Sequence, residues 1–218
     1  MAKLLSLEQA ARMIPDGASV MVGGFMGCGS PHRLIDAIVT KGVRGLTVYC
    51  NDAGWPGHGV ARLITAGLVK TLNATHVGLN PEVAALMASG GLEVRLIPQG
   101  TMAEQIRAGG NGTGGVLTPT GIGTMAAEGR QVVDVDGKRF LLEKPIRADF
   151  AIISGYQVDH AGNIWYKGST RNFNPLMATA ADTVIVEADT LVEDGCIEPE
   201  NVVTPGIFID YIVKGGAW

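Results

Sequence analysis

The stretch DGASVMVGGFMGCGSP, Asp16 to Pro31, carries a short apolar run into a glycine-rich turn. Glycine lacks a Cβ and accepts positive φ, so backbone N–H groups in such a turn can come close to a ligand. A helix that begins where the turn ends adds unpaired N–H groups and a partial positive charge, which favour anions. Two nucleotide fingerprints can be tested directly. The glycines at 24, 27 and 29 read G-x-x-G-x-G rather than G-x-G-x-x-G, and the Lys-Ser/Thr of a P-loop is missing. Gly110 to Gly115 does fit G-x-G-x-x-G, but it follows a helical pattern instead of a strand, so the required context is absent. Spacing alone leaves the first stretch open between a ligand loop and a strand-to-helix bend.

Other reactive groups give weaker signals. The chain has no G-x-S-x-G elbow for a nucleophilic serine. His32, His58, His76 and His160 lack a metal-like partner at i+3 or i+4, so they read as surface or satisfied core and no metal is expected. Glu193, Asp194 and Glu200 read as exposed charges beside a loop. Cys28, Cys50 and Cys196 are odd in number and lack CxxC spacing, which argues against a disulfide framework or zinc and for a reducing, cytoplasmic setting. The residues thus offer a ligand loop without a convincing nucleophile, as expected if a second chain supplies the chemistry.

The elements that must position this loop follow from hydrophobic period. Ser6 and Gln9 are spaced as a capping box for a helix over SLEQAARMI. ASVMVGG reads as a buried strand, with Pro31 at the first position of a helix that stops at Gly42. Strands are expected at LTVYCN, VKTLNATHV and EVRLIP, and helices at GVARLITAG, at NPEVAALMASGG with Asn80 as N-cap, and at TMAEQIRAGG with Thr101 and Glu104 as a capping box. This alternation implies βαβ units and a parallel sheet. GGNGTGGVLTPTGIGT then reads as one long loop, and QVVDVDGKRFLLEKP as a hairpin turning at Asp136-Gly137. DFAIISG, IWYKG and TVIVEAD are further strands, NPLMATAA a helix, and GIFIDYIV the strand that closes the sheet. The expectation is one α/β domain over 1–218, a mainly parallel sheet with flanking helices plus a small β-hairpin insert.

Composition narrows the function classes. Net charge is −4 with no Lys/Arg run, so nucleic acid is not an expected partner. No apolar run reaches membrane-spanning length, and the N-terminal segment is broken by Glu8, Gln9 and Arg12, unlike a secretory signal. Charged residues are only 17% against 46% apolar, which fits either an unusually complete core or a face buried on another chain.

Asp16 to Pro31 as a whole resembles the alpha-subunit signature of family I CoA-transferases: Asp-Gly, two residues, three apolar residues, Gly-Gly-Phe, three residues, Gly, any residue, Pro. The resemblance continues through NDAG at 51–54, IPQGTMAEQIRAGG at 97–110, LTPTGIGT at 117–124, STRNFNP at 169–175 and VTPGIFID at 203–210. It implies a subunit of an acetate/acetoacetate or butyrate–acetoacetate CoA-transferase, of the 3-oxoacid type that also serves ketone bodies. It implies a beta-subunit partner, commonly in an α2β2 assembly, and a ping-pong mechanism. The nucleophilic glutamate would lie on that beta subunit in a Ser-Glu-Asn-Gly motif, which this chain lacks. Coenzyme A and acyl-CoA would be substrates, with no cofactor bound permanently.

On the same resemblance, Gln99 corresponds to the glutamine of the family's Pro-Gln-Gly motif and would donate to the thioester or anhydride oxygen; spacing alone favours a glutamine that pins a turn, and the resemblance reverses that. Gly24, Phe25, Met26, Gly27, Cys28, Gly29 and Ser30 form the loop associated with CoA. Phe25 would wall the acyl pocket or else be a core aromatic. Asn51 matches a family asparagine near the active site, Asp52 replaces a second one, and Cys28 reads as a small filler. Two other functions remain in view: a 3-oxoadipate CoA-transferase alpha subunit, disfavoured because THVGLNPE lacks an arginine for a second carboxylate, and a noncatalytic ligand-sensing α/β domain.

Overall fold

The computed structural model describes residues 2–216. In chain order the elements are β1 (Lys3–Leu5), α1 (Leu7–Met13), β2 (Ser19–Val22), α2 (His32–Lys41), β3 (Leu46–Asp52), α3 (Ala61–Thr65), β4 (Val69–His76), α4 (Pro81–Ala88), β5 (Glu93–Leu96) and α5 (Gln99–Asn111). They continue with β6 (Val116–Thr118), β7 (Gln131–Val135), β8 (Lys138–Glu143), β9 (Ala148–Asp159), β10 (Ile164–Trp165), α6 (Asn174–Met177), β11 (Ala181–Val192) and β12 (Tyr211–Lys214).

The main sheet runs β1-β12-β11-β9-β2-β3-β4-β5, all parallel, with β10 antiparallel on β9. Alternate residues along a strand face opposite sides. Val20 and Val22 of β2, Ile152 of β9 and Ile185 of β11 join one apolar cluster with α2 and α3. Met21, Ile153 and Val186 join a second with α5 and α6. The expected mainly parallel sheet with flanking helices is therefore the architecture found, with the helices divided between its two faces.

Helix ends show how local chemistry agrees or loses. Ser6 Oγ accepts from Gln9 N at 3.1 Å and Gln9 Oε1 from Ser6 N at 2.9 Å, the capping box read from sequence. Asn80 caps α4 with Pro81 in its first turn, and Gly42 ends α2 in the left-handed region. Pro31, expected as the first helical residue, is instead the N-cap, and α2 begins at His32. A proline offers no side-chain acceptor, and Glu187 of β11 takes that role, accepting from Leu34 N at 2.7 Å and Arg33 N at 3.3 Å. Thr101 does not cap: α5 begins two residues earlier, with Pro98 as its N-cap and Gln99 as its first residue.

Three longer-range corrections concern pairing. GGNGTGGVLTPTGIGT is not one loop: α5 extends to Asn111, Gly112 ends it, and Val116–Thr118 form β6 against β8. The hairpin at Asp136-Gly137 exists, both residues having positive φ, but it belongs to a three-stranded sheet β6-β8-β7. GIFIDYIV does not close the main sheet. β12 lies inside it, and the edge is β1, three residues near the N-terminus without a period long enough to read.

Candidate active site

From β2 the chain builds outward through β3, β4 and β5 on one side; β9, β11 and β12 extend the sheet on the other. The boundary between β2 and β9 is a switch point, and ligands of such sheets bind beyond the strand C-termini there. β2 stops at Val22 while β9 runs on past Ile152, so the chain leaves the sheet at this point as the glycine-rich loop 23–31.

The loop is held from three directions. Phe25 and Cys28 exchange backbone hydrogen bonds of 3.0 and 2.9 Å, closing a tight turn in which Met26 adopts φ +54°. Asn172 Oδ1 accepts from Gly24 N at 3.1 Å, and its Nδ2 donates to Cys28 O at 3.0 Å. Asn174, fully buried, donates to Gly29 O at 2.9 Å and Thr170 O at 2.8 Å, and accepts from Ser154 N at 3.2 Å. His32 Nε2 lies 2.8 Å from Gly27 O. Burial pulls the His32 imidazole below its ordinary pKa, so it is neutral at pH 7 and Nε2–H donates to that carbonyl.

The third tether is Asp52, at the end of β3. Its Oδ2 accepts from Met26 N at 2.9 Å and from Asn51 Nδ2 at 2.8 Å; its Oδ1 accepts from Gly54 N at 2.8 Å. Asn51 Oδ1 in turn accepts from Gln99 Nε2 at 2.5 Å. Asn51 and Asp52 are buried, while Gln99 is exposed at the start of α5. The structure therefore joins Gln99, Asn51, Asp52 and Met26 of the loop, residues separated by up to 73 positions in sequence, into one hydrogen-bonded line.

The remaining loop residues divide by exposure. Phe25 is 45% exposed, which removes the core-aromatic alternative. Trp55, equally exposed, lines a hollow with Met26, Gly27, His32, Pro56 and His58. Ser30 is buried, filling the space beside Gly24, where a Cβ would meet its Oγ at 2.0 Å. Cys28 is not a buried filler: it is exposed, its Sγ 3.5 Å from Ser169 Oγ. The buried thiol is Cys50, pushed up in pKa by burial and by the charge of Asp52.

Sequence reasoning missed Asn172 and Asn174 as loop clamps, although STRNFNP was singled out. It also missed Glu187, because an isolated acid inside a strand pattern carries no local signal for the helix it caps. His32, read as surface or satisfied core, is a buried histidine bonded inside the loop. Among the described residues no group of three or more His, Cys, Asp and Glu could hold a metal ion, and no helix is long and apolar enough to cross a membrane.

The site thus has a glycine loop at the switch point and the Gln99 amide tied to it through Asn51 and Asp52. A family model described as coenzyme A transferase matches residues 4–215, and the chain belongs to that family. It is 50% identical over 211 residues to the acetate CoA-transferase subunit alpha of Escherichia coli K12, covering 97% of this chain and 96% of that one. It is 47% identical over 212 residues to the acetoacetyl-CoA:acetate/butyrate CoA transferase alpha subunit of Clostridium acetobutylicum, covering 97% of both. Among solved structures, an acyl-CoA transferase of E. coli O157:H7, in a thioester complex with CoA, superposes with TM-score 0.87 at 23% identity, covering 98% of this chain and 47% of that one. That last likeness establishes the fold.

Proposed function

We propose that this chain is the alpha subunit of an enzyme that moves CoA between a short-chain acyl-CoA or 3-oxoacyl-CoA and a short-chain carboxylic acid such as acetate, butyrate or acetoacetate. The beta subunit supplies the glutamate nucleophile. Its carboxylate attacks the thioester carbonyl, forming an acyl–glutamyl anhydride and releasing CoA thiolate. The thiolate attacks the glutamyl carbonyl, giving a glutamyl–CoA thioester and the free acid. An acceptor carboxylate then reverses both steps, so the thioester bond energy passes on and is not lost to water. CoA is a substrate throughout.

The observation that carries this reading for the present chain is the position of Gln99. Its amide stands at the start of α5, beyond the end of β5, and is tied through Asn51 and Asp52 to the loop at the switch point. One Nε2–H is used on Asn51; the second is left for the oxygen that gains charge when a carbonyl is attacked. The 13-residue helix α5 adds its partial positive charge at the same end. Loop residues Gly24 to Ser30 bring backbone to the CoA thioester, with Phe25 walling the acyl group. The chain reads as one domain over 1–218, because the small sheet is tied back to α5 by the 3.1 Å bond from Gln105 to Glu143.

Residues 75–82 contain no arginine or lysine, so a second substrate carboxylate would find no guanidinium or ammonium group there. A monocarboxylic acid is the better fit. The test is co-expression with the beta subunit and an assay of acetoacetyl-CoA use with acetate and butyrate. Activity in the pair and not in the lone chain is expected, and Gln99→Ala should lower kcat about a hundredfold or more without preventing assembly. Full turnover in that variant overturns the donor role.

A further inference from the structure

So far Asp52 is only a tether between the loop and Asn51, yet its carboxylate sits where it decides which way two amides face. An ionised carboxylate only accepts hydrogen bonds, whereas an asparagine or glutamine amide has a donor end and an acceptor end. Asp52 Oδ2 faces the Asn51 side chain at 2.8 Å. Only the Nδ2 end of Asn51 can point at it. The Oδ1 end must then face away, toward Gln99, and only the Nε2 end of Gln99 can meet an acceptor. The direction of every bond in the line is thus set at its buried end.

We infer that Asp52 is a positioning residue for the transferase reaction, fixing through Asn51 the orientation in which the Gln99 amide presents N–H rather than C=O to the reacting oxygen. The inference rests on the donor role proposed for Gln99. A reversed Gln99 amide would put its carbonyl oxygen against a developing oxyanion, which opposes the charge rather than stabilising it. Neutral amides alone could form the line in either sense.

The surroundings keep Asp52 in this role. Gly54 N and Met26 N occupy Oδ1 and Oδ2, so the carboxylate is anchored before Asn51 is considered. Thr75 Oγ1 donates to the Asn51 backbone carbonyl at 2.7 Å and holds the end of β3 against β4. The same Asp52 oxygen that orients Asn51 also binds Met26 of the loop, so the amide line and the loop share one anchor.

The test is a double-mutant cycle in the assembled two-subunit enzyme, with acetoacetyl-CoA as donor and acetate as acceptor. Asp52→Asn keeps the shape and removes the acceptor-only character. It is expected to lower kcat about tenfold to a hundredfold, with KM for acetoacetyl-CoA changed less than about twofold. Because Asp52 acts through Gln99, adding Asp52→Asn to Gln99→Ala should lower kcat little further. Asn51→Ala, which leaves the Asp52 bonds to Met26 and Gly54 in place, should show the same kcat loss and the same lack of additivity. Fully multiplicative losses, or an unchanged KM and kcat in Asp52→Asn while Gln99→Ala is crippled, would overturn the positioning role and leave the donor role standing. Normal turnover in Gln99→Ala would remove the donor role itself, and the inference with it.

Discussion

The side-chain carbonyl of Asn174 occupies the place where a side chain at Gly23 would have to begin: a Cβ there would lie 1.8 Å from Asn174 Oδ1. Gly23 is the first residue after β2, and Asn174 opens α6, 151 positions later. The glycine is required because another element has inserted its amide to bind the backbone around it.

This pair gives a double-mutant prediction. Asn174→Ala leaves the Gly29 and Thr170 carbonyls and the Ser154 N–H short of a partner, and should cost roughly 3 kcal/mol by urea denaturation. Gly23→Ala should be at least as damaging, by displacing the same amide. The double variant should be far less destabilised than the sum, because the second change removes a side chain that the first has already evicted. Additive losses would mean that the two residues do not compete for that space.

Two glycines separate strain from collision. Gly67 has φ +68° and open space where a Cβ would go; Gly29 has φ +69° with the Thr170 carbonyl 2.5 Å from that position. Gly67→Ala should cost about 1–2 kcal/mol, the usual cost of left-handed backbone. Gly29→Ala should cost more and should also depress turnover, since the loop must move. Equal losses with equal activity would show that the loop tolerates the shift.

Glu187 fixes a pH dependence of known sign. Burial holds its carboxyl above the ordinary carboxylate range, and the opposing bonds from Leu34 and Arg33 N–H are outweighed; nearby Asp189 pushes the same way as burial and Arg33 against it. The folded chain therefore binds more protons than the unfolded chain between the ordinary value, near 4.5, and the raised one. The contribution is complete below the ordinary value and is lost as pH rises through the raised one. Unfolding free energies from urea melts across this range should fall with pH in the parent relative to Glu187→Gln, with a slope of at most about 1.4 kcal/mol per pH unit. A pH-independent difference would show that Glu187 ionises freely.

The cysteines should differ sharply toward a thiol reagent. Cys28 and Cys196 are exposed, while Cys50 is buried with a raised pKa. Two thiols should react in the native chain and the third only in denaturant. If the loop holds acyl-CoA, adding it to the assembled enzyme should slow Cys28 and leave Cys196 unchanged.

The amino-acid sequence by itself determined most of the local elements and the chemistry at several of their ends. Ser6 with Gln9, Asn80 with Pro81, Gly42 and Asp136-Gly137 each act through neighbours within a few residues, so their bonds could be read in advance. The resemblance of its motifs to a known family offered the loop from Gly24 to Ser30 and the candidate amides Asn51 and Gln99, which spacing alone left open. What only the tertiary structure decided is what holds these pieces. Glu187 caps α2 from a strand about 150 residues away, Asn172 and Asn174 clamp the loop from beyond β9, and β1 finds its partner in β12. A hydrogen bond between distant segments leaves no period or spacing in either one. The parallel sheet brings the ends of β2, β3 and β5 to one edge, and only there do Asp52, Asn51 and Gln99 become a single directed line.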